Sequence, residues 1–192
     1  MREAVMNEEK REKEAIKQAY ELCEQAHSAW IKGNTLDALR YYEEALEIFK
    51  ELGRLAEIAN ILEKIGDIYH LRGKTSEALR AYKACLDICE NFEDELSTCI
   101  IAEKIAYVYR GLGEHNRMLP YLFRILEIAE KYRDPHRAGR ALAGIGEVYI
   151  REGKLDSAKE ALELALKIFR GMGAIEQTKI LEEALKSLES RE

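Results

Sequence analysis

The chain has 192 residues, 30 Lys and Arg against 36 Asp and Glu, a formal net charge of -6 and 47% hydrophobic residues. That balance is ordinary for a globular protein, and its mild acidity argues against a nucleic-acid surface, which needs a concentrated basic face. No apolar run approaches the roughly 20 residues that span a bilayer, and the opening MREAVMNEEKREKE has no apolar h-region of a secretory signal. A cytoplasmic protein is expected, with no nucleic-acid and no membrane partner. Its cysteines, Cys23, Cys85, Cys89 and Cys99, are then expected as reduced thiols rather than a disulfide framework.

In chain order, residues 1–14 are predicted to extend the first helix with charge alone, supported by i,i+4 pairs such as Glu9–Lys13. Four helical hairpins follow, at about 15–53, 54–93, 94–133 and 134–173. They are legible because Gly33, Gly73, Gly113 and Gly153 stand 40 residues apart and bring the rest into register. Seven residues before each glycine is a small residue (Ala26, Gly66, Ala106, Gly146), expected where two helix backbones cross closely. Four before are Ala29, Tyr69, Tyr109 and Tyr149. Five after are Ala38, Ala78, Met118 and Ala158; nine after, Tyr42, Tyr82, Leu122 and Leu162; twelve after, Ala45, Cys85, Ile125 and Ala165.

Runs such as Leu62, Ile65, Gly66, Tyr69 and Ala78, Leu79, Tyr82, Leu86, Cys89 have helical spacing. Each glycine suits the left-handed end of the first helix of a pair, and Thr35 and Thr75 are predicted as N-caps of the second. The third hairpin departs most, with Met118 and Ile125 at small-residue positions and Pro120 early in its second helix, where it is expected to remove a hydrogen bond. A last helix, 174–190, is predicted to cap the stack, with Ile175, Leu181, Ala184, Leu185 and Leu188 on one apolar face. The chain is expected to form a single domain over 1–192.

This register resembles the tetratricopeptide repeat (TPR), best in GDIYHLRGKTSEALRAYKAC and next in GEVYIREGKLDSAKEALELA. The longer period is similar to that of kinesin-light-chain-type repeats. HEAT and armadillo arrays also have periods near 40 but lack this Gly–Tyr–Gly–Ala order. The resemblance implies an all-α, right-handed α-solenoid of four hairpins plus the capping helix. It also implies a protein–protein interaction scaffold whose first helices line a concave groove for a partner peptide or helix.

Carried over by register, the groove positions are Tyr20, His27 and Trp30 in the first hairpin, and Asn60, Lys64, Asp67 and His70 in the second. In the third they are Lys104, Tyr107 and Arg110, and in the fourth Arg140, Glu147 and Arg151. Two ligand chemistries known in such repeats are not carried over. The carboxylate-clamp positions hold Cys23, His27, Lys64, Ile100 and Lys104, of which only Lys104, and loosely Lys64, could serve. The paired-asparagine positions hold Cys23–Glu24, Glu63–Lys64, Glu103–Lys104 and Ala143–Gly144, with no asparagine.

The sole tryptophan, Trp30, lies near Tyr20, Cys23, His27 and Ile31. It reads either as an aromatic anchor for a partner or as packing under the long first helix. Self-association, as a homodimer through these residues, is the alternative function. Catalysis finds little support. His27, His70, His115 and His136 are scattered, three of them on exposed faces or turns. The glycines follow helices rather than strands, so none forms a phosphate loop. Cys85 and Cys89, four apart, could supply half a zinc site, but Cys85 occupies an alanine position in the repeat. No cofactor and no metal is expected.

Overall fold

The computed structural model describes residues 2–190; Met1, Arg191 and Glu192, the ends of the expected domain, lie outside the described residues. All the regular elements in the described residues are helices: α1 (Arg2–Ile31), α2 (Thr35–Glu51), α3 (Leu55–Leu71), α4 (Thr75–Asn91), α5 (Glu95–Leu112), a 3-10 turn (His115–Met118), α6 (Leu119–Lys131), α7 (Pro135–Arg151), α8 (Leu155–Gly171) and α9 (Ile175–Glu189). The all-α hairpin architecture expected from the register is the one observed. The chain forms two compact units, Met1–Asp94 and Glu95–Glu192. In the first, α1 packs on α2, α2 on α3 and α3 on α4; in the second, α5 packs on α6, α6 on α7, α7 on α8 and α8 on α9.

The repeat positions explain the cores. Ala19, Ala26, Ala38, Tyr42, Ala45 and Phe49 are buried in the first unit with Ile61, Ile65 and Ile68 of α3. In the second, Ala158, Leu162, Ala165, Leu166 and Phe169 of α8 are buried with Leu181 and Leu188 of α9. In α3 and α7 the small residue makes room chiefly for a side chain rather than for a crossing backbone. A Cβ on Gly66 would lie 2.5 Å from Tyr82 Cε1, and one on Gly146 would lie 2.6 Å from Leu162 Cδ2. In both pairs, the residue seven before the repeat glycine seats the residue nine after it.

Several local expectations are corrected. The N-caps are Asn34 and Lys74, one residue ahead of Thr35 and Thr75, because the left-handed glycine is followed by a single linking residue. Asn34 accepts from the Asp37 amide at 3.5 Å, and Asp134 caps α7 by accepting from the Arg137 amide at 3.0 Å. Pro120 falls at the start of α6, where an amide would have no intrahelical acceptor, so no helical bond is lost. The 3-10 turn ahead of it delays that helix by four residues relative to its repeats and holds Met118 fully buried. Among the described residues, α1 carries the ion pairs Lys10–Glu14 and Lys17–Glu21, and Glu9–Lys13 is not among them. Ile175 is not on the buried face of α9: it is 83% exposed at the first position of the helix, ahead of the turn that docks on α8.

The turns between hairpins hold a left-handed residue at Gly53, Glu93, Arg133 and Gly173. Only two of the four are glycine, so Glu93 and Arg133 bear a steric cost that a glycine avoids. Arg133→Gly should therefore raise stability by about 0.5–1 kcal/mol after the added freedom of the unfolded chain is counted. The change would appear as a higher urea midpoint at constant slope.

Candidate functional site

The register positions divide by unit. In the first, they lie on α1 and α3 and most are already engaged within the unit. Tyr20 donates to Glu57 Oε1 at 3.0 Å and meets the Phe49 ring edge-on at 5.3 Å. The hydrogen bond to Glu57 pushes the Tyr20 hydroxyl pKa up, and the Arg54 guanidinium holds Glu57 below the usual carboxylate range. Trp30 and Cys23 are half-buried against the core of the unit, while His27 and Ile31 are exposed, so the apolar group expected around Trp30 is partly committed to the core. Asp67 accepts from Tyr82 at 2.7 Å, and Lys64 lies 3.7 Å from Glu63. Asn60 is exposed and His70 half-buried.

In the second unit the positions converge. Tyr107, Arg110, Arg140, Glu147 and Arg151 all line one cleft of about 550 Å³, bounded by α5, α7 and α9. Lys104, half-buried on α5, does not line it. The floor is apolar, made by Ala106, Met118, Leu122, Ile125, Leu162 and Phe169, with Ile180, Leu181 and Ala184 of α9 along one side. Tyr107 and Ile180, on opposite sides, are 62% and 58% exposed.

The rim is charged and largely paired: Arg110 to Glu147 at 2.8 Å, and Arg140 to Glu103 at 3.7 Å. His115, expected on an exposed turn, is instead mostly covered. Its Nδ1 lies 4.0 Å from Glu147 Oε1 and has no hydrogen-bond partner among the described residues. Arg151 makes no ion pair among the described residues, so three arginines meet two carboxylates.

The reason for the cleft lies in Ala143, which the register also places on the groove face, and Gly144 beside it. Where α3 carries Glu63–Lys64 and α5 carries Glu103–Lys104, α7 carries Ala143–Gly144. Two long side chains are thereby replaced by a methyl and a hydrogen. The floor also rises to meet α7: a Cβ on Gly144 would lie 3.0 Å from Leu122 Cδ2. The missed feature is α9. The 40-residue period places Leu181, Leu185 and Leu188 in register with Ala141, Ile145 and Val148 of α7, so α9 is a further first helix and supplies a wall as well as a cap.

Chemically, the cleft offers apolar contact and paired charge. Among the described residues no group of three or more His, Cys, Asp or Glu could hold a metal ion. Cys85, Cys89 and Cys99 are buried, and Cys85 donates to the Ala59 carbonyl at 3.2 Å. Burial pushes the thiols of Cys23, Cys89 and Cys99 up, away from the reactive thiolate. No helix among the described residues is long and apolar enough to cross a membrane.

Comparison with known proteins agrees with the hairpin geometry. The family model described as tetratricopeptide repeat matches residues 22–91 and 97–171. No match was found among curated proteins. Among solved structures, the apo form of RapI is similar over 99% of this chain and 54% of its own, with 19% identity and a TM-score of 0.80. This chain thus spans about half of RapI. Aspartyl phosphate phosphatase F from Bacillus subtilis is similar over 87% of this chain and 44% of its own, at 15% identity and a TM-score of 0.69. The nearly identical TPR-like repeats of a Podosopora anserina kinesin light chain are similar over 92% of this chain and 97% of theirs, at 14% identity and a TM-score of 0.63. At these identities the likeness is one of fold.

Proposed function

Since the chain belongs to the tetratricopeptide-repeat family, we propose that it acts as a protein-interaction module whose second unit holds a segment of a partner protein in the cleft between α5, α7 and α9. One observation carries this reading: a cleft over a buried apolar floor, with exposed Tyr107 and Ile180 on either side and rim charges that mostly neutralise one another. Pockets that bind tightly are lined mainly by apolar groups, with a few placed polar groups that fix orientation. The reading is non-catalytic, because the site brings together aliphatic contact and ion pairs rather than a nucleophile with a base. It moves the binding site from the aromatic residues of the first hairpin, where Trp30 and Cys23 are half-buried against the core, to the second unit.

Ala143→Glu tests it. Glutamate occupies the same register position at Glu63 and Glu103, and position 143 is half-exposed, so the fold should tolerate it. Peptides selected from a random displayed library against the whole chain should bind the wild type. They should bind Ala143→Glu about tenfold or more weakly, because a charge then projects into an apolar contact. Thermal melts of the two proteins should coincide within a few degrees. Selected peptides that bind both proteins equally would place the binding surface elsewhere.

A further inference from the structure

The cleft has a direction and an unbalanced charge, and together they specify an occupant. Its lining on α7 runs from Arg140 to Arg151, eleven residues or about 16 Å along the helix. On α5 it runs from Glu103 to Arg110, and on α9 from Gln177 to Ala184. The opening thus follows α7 for about three helical turns and is flanked on both sides. A segment lying in it meets Ala143 and Gly144 beneath and the exposed rings and branches of Tyr107 and Ile180 beside it. Small residues beneath allow a helix axis to approach to the short end of the usual 8–10 Å range.

The charges select further. Glu147 already accepts from Arg110, and Glu103 faces Arg140. An incoming lysine would have to compete with those arginines for their carboxylates. Arg151 has no carboxylate partner among the described residues, and Gln177 of α9 lines the same cleft with a further amide donor. An incoming carboxylate therefore gains a partner without displacing one.

We propose that the occupant is an amphipathic helix of about three turns, apolar on the face that meets α7 and carrying an Asp or Glu side chain over Arg151. This rests on the cleft being the binding site, and it adds the conformation and charge of what binds. Arg151 is then a specificity residue, rewarding an acidic partner and leaving a neutral one with apolar contact only.

The test uses the whole chain and three fluorescently labelled 16-residue probes. The first is a helical peptide with leucines at i, i+4 and i+7 and a glutamate at i+11. The second replaces that glutamate with glutamine, and the third differs from the first only by a proline in place of one central residue. By anisotropy, the first should bind about 3- to 10-fold more tightly than the second at low salt, and the gap should narrow as salt rises. Arg151→Gln should close the gap by weakening only the acidic peptide. The proline peptide should bind at least about tenfold more weakly than the first.

Equal binding of the first two probes, or a gap that survives Arg151→Gln, overturns the acidic assignment. Equal binding of the proline probe overturns the helical one. In both cases the cleft itself still stands if Ala143→Glu abolishes binding. Binding indifferent to Ala143→Glu, or no binding of any probe at millimolar concentration, removes the cleft reading and this inference with it. A doubled mass in solution that Ala143→Glu returns to monomer would make a second copy of the chain the occupant and overturn the proposal.

Discussion

Tyr82→Ala should destabilise the first unit by about 3–5 kcal/mol, the range for removing a fully buried aromatic ring. Tyr82 is 2% exposed, and its ring fills the space left by the absent side chain of Gly66, where a Cβ would come within 2.5 Å of Cε1. Its hydroxyl donates to Asp67 Oδ1 at 2.7 Å. Burial, and then the Asp67 carboxylate, push the phenol pKa far up, so it remains a donor at every pH at which the protein is handled. The two contributions separate by substitution. Tyr82→Phe keeps the ring and removes the donor, and should cost about 1–2 kcal/mol, because half-buried Asp67 regains part of its hydration. Gly66→Ala should cost about 1–3 kcal/mol in the wild type, where the ring must move. In a Tyr82→Ala background it should cost far less, since the obstacle is gone. Urea unfolding followed by circular dichroism gives all four corners of that cycle. A Gly66→Ala penalty that is the same with and without the ring would show that Gly66 is held by backbone approach, as the small-residue pattern alone suggests.

The Gly66–Tyr82 pair shows what the sequence did and did not disclose. The period of 40 exposed the hairpins, their boundaries to within a few residues and their buried positions, because a repeat averages away local accidents. It did not disclose which partner each buried position meets, since that depends on how two helices cross. The register also holds a second relation between buried positions, seen as direct contact at Gly139 and Phe169. The residue 30 before each of Phe49, Cys89, Ala129 and Phe169 is Ala19, Ala59, Cys99 and Gly139, all buried, with the larger member changing helix in the third hairpin. Such exchange of volume is what a close-packed core requires. It gives Cys89 and Cys99 a packing role that needs no thiol chemistry.

The cleft was half legible. Tyr107, Arg110, Arg140, Glu147 and Arg151 followed from the repeat resemblance carried over by register, because they lie on successive first helices. Ala143 followed from the same register, but the opening that Ala143 and Gly144 leave did not, because an absence of side chain carries no motif; only comparison with Glu63–Lys64 and Glu103–Lys104 reveals it. The left-handed turns at Glu93 and Arg133 were hidden for the opposite reason. The register fixed the backbone conformation there, but the residue types that usually announce it are missing.

Phe169→Ala should also cost about 3–5 kcal/mol, and its effect should reach the cleft. Phe169 is 2% exposed and lies on the floor. It touches α7 at Gly139, where an added Cβ would stand 2.9 Å from ring atoms Cε2 and Cζ, and it meets His136 edge-on at 6.3 Å. Truncation removes the ring that separates the α8 core from the cleft, so the hole opens into solvent-accessible space and the α7–α8 contact loosens with it. Amide exchange should accelerate in α7, α8 and α9, while the amides of α1 to α4 keep their protection. Phe169→Leu, which retains most of the apolar volume, should cost about 1–1.5 kcal/mol and leave exchange in α9 nearly unchanged. The contrast with Ala143→Glu separates support from contact: one variant should lose stability in proportion to the ring removed, the other should lose peptide affinity at unchanged stability. Were Phe169→Leu to weaken peptide binding as strongly as Ala143→Glu, the ring itself would be a contact surface for the partner rather than the floor that holds α7 in place.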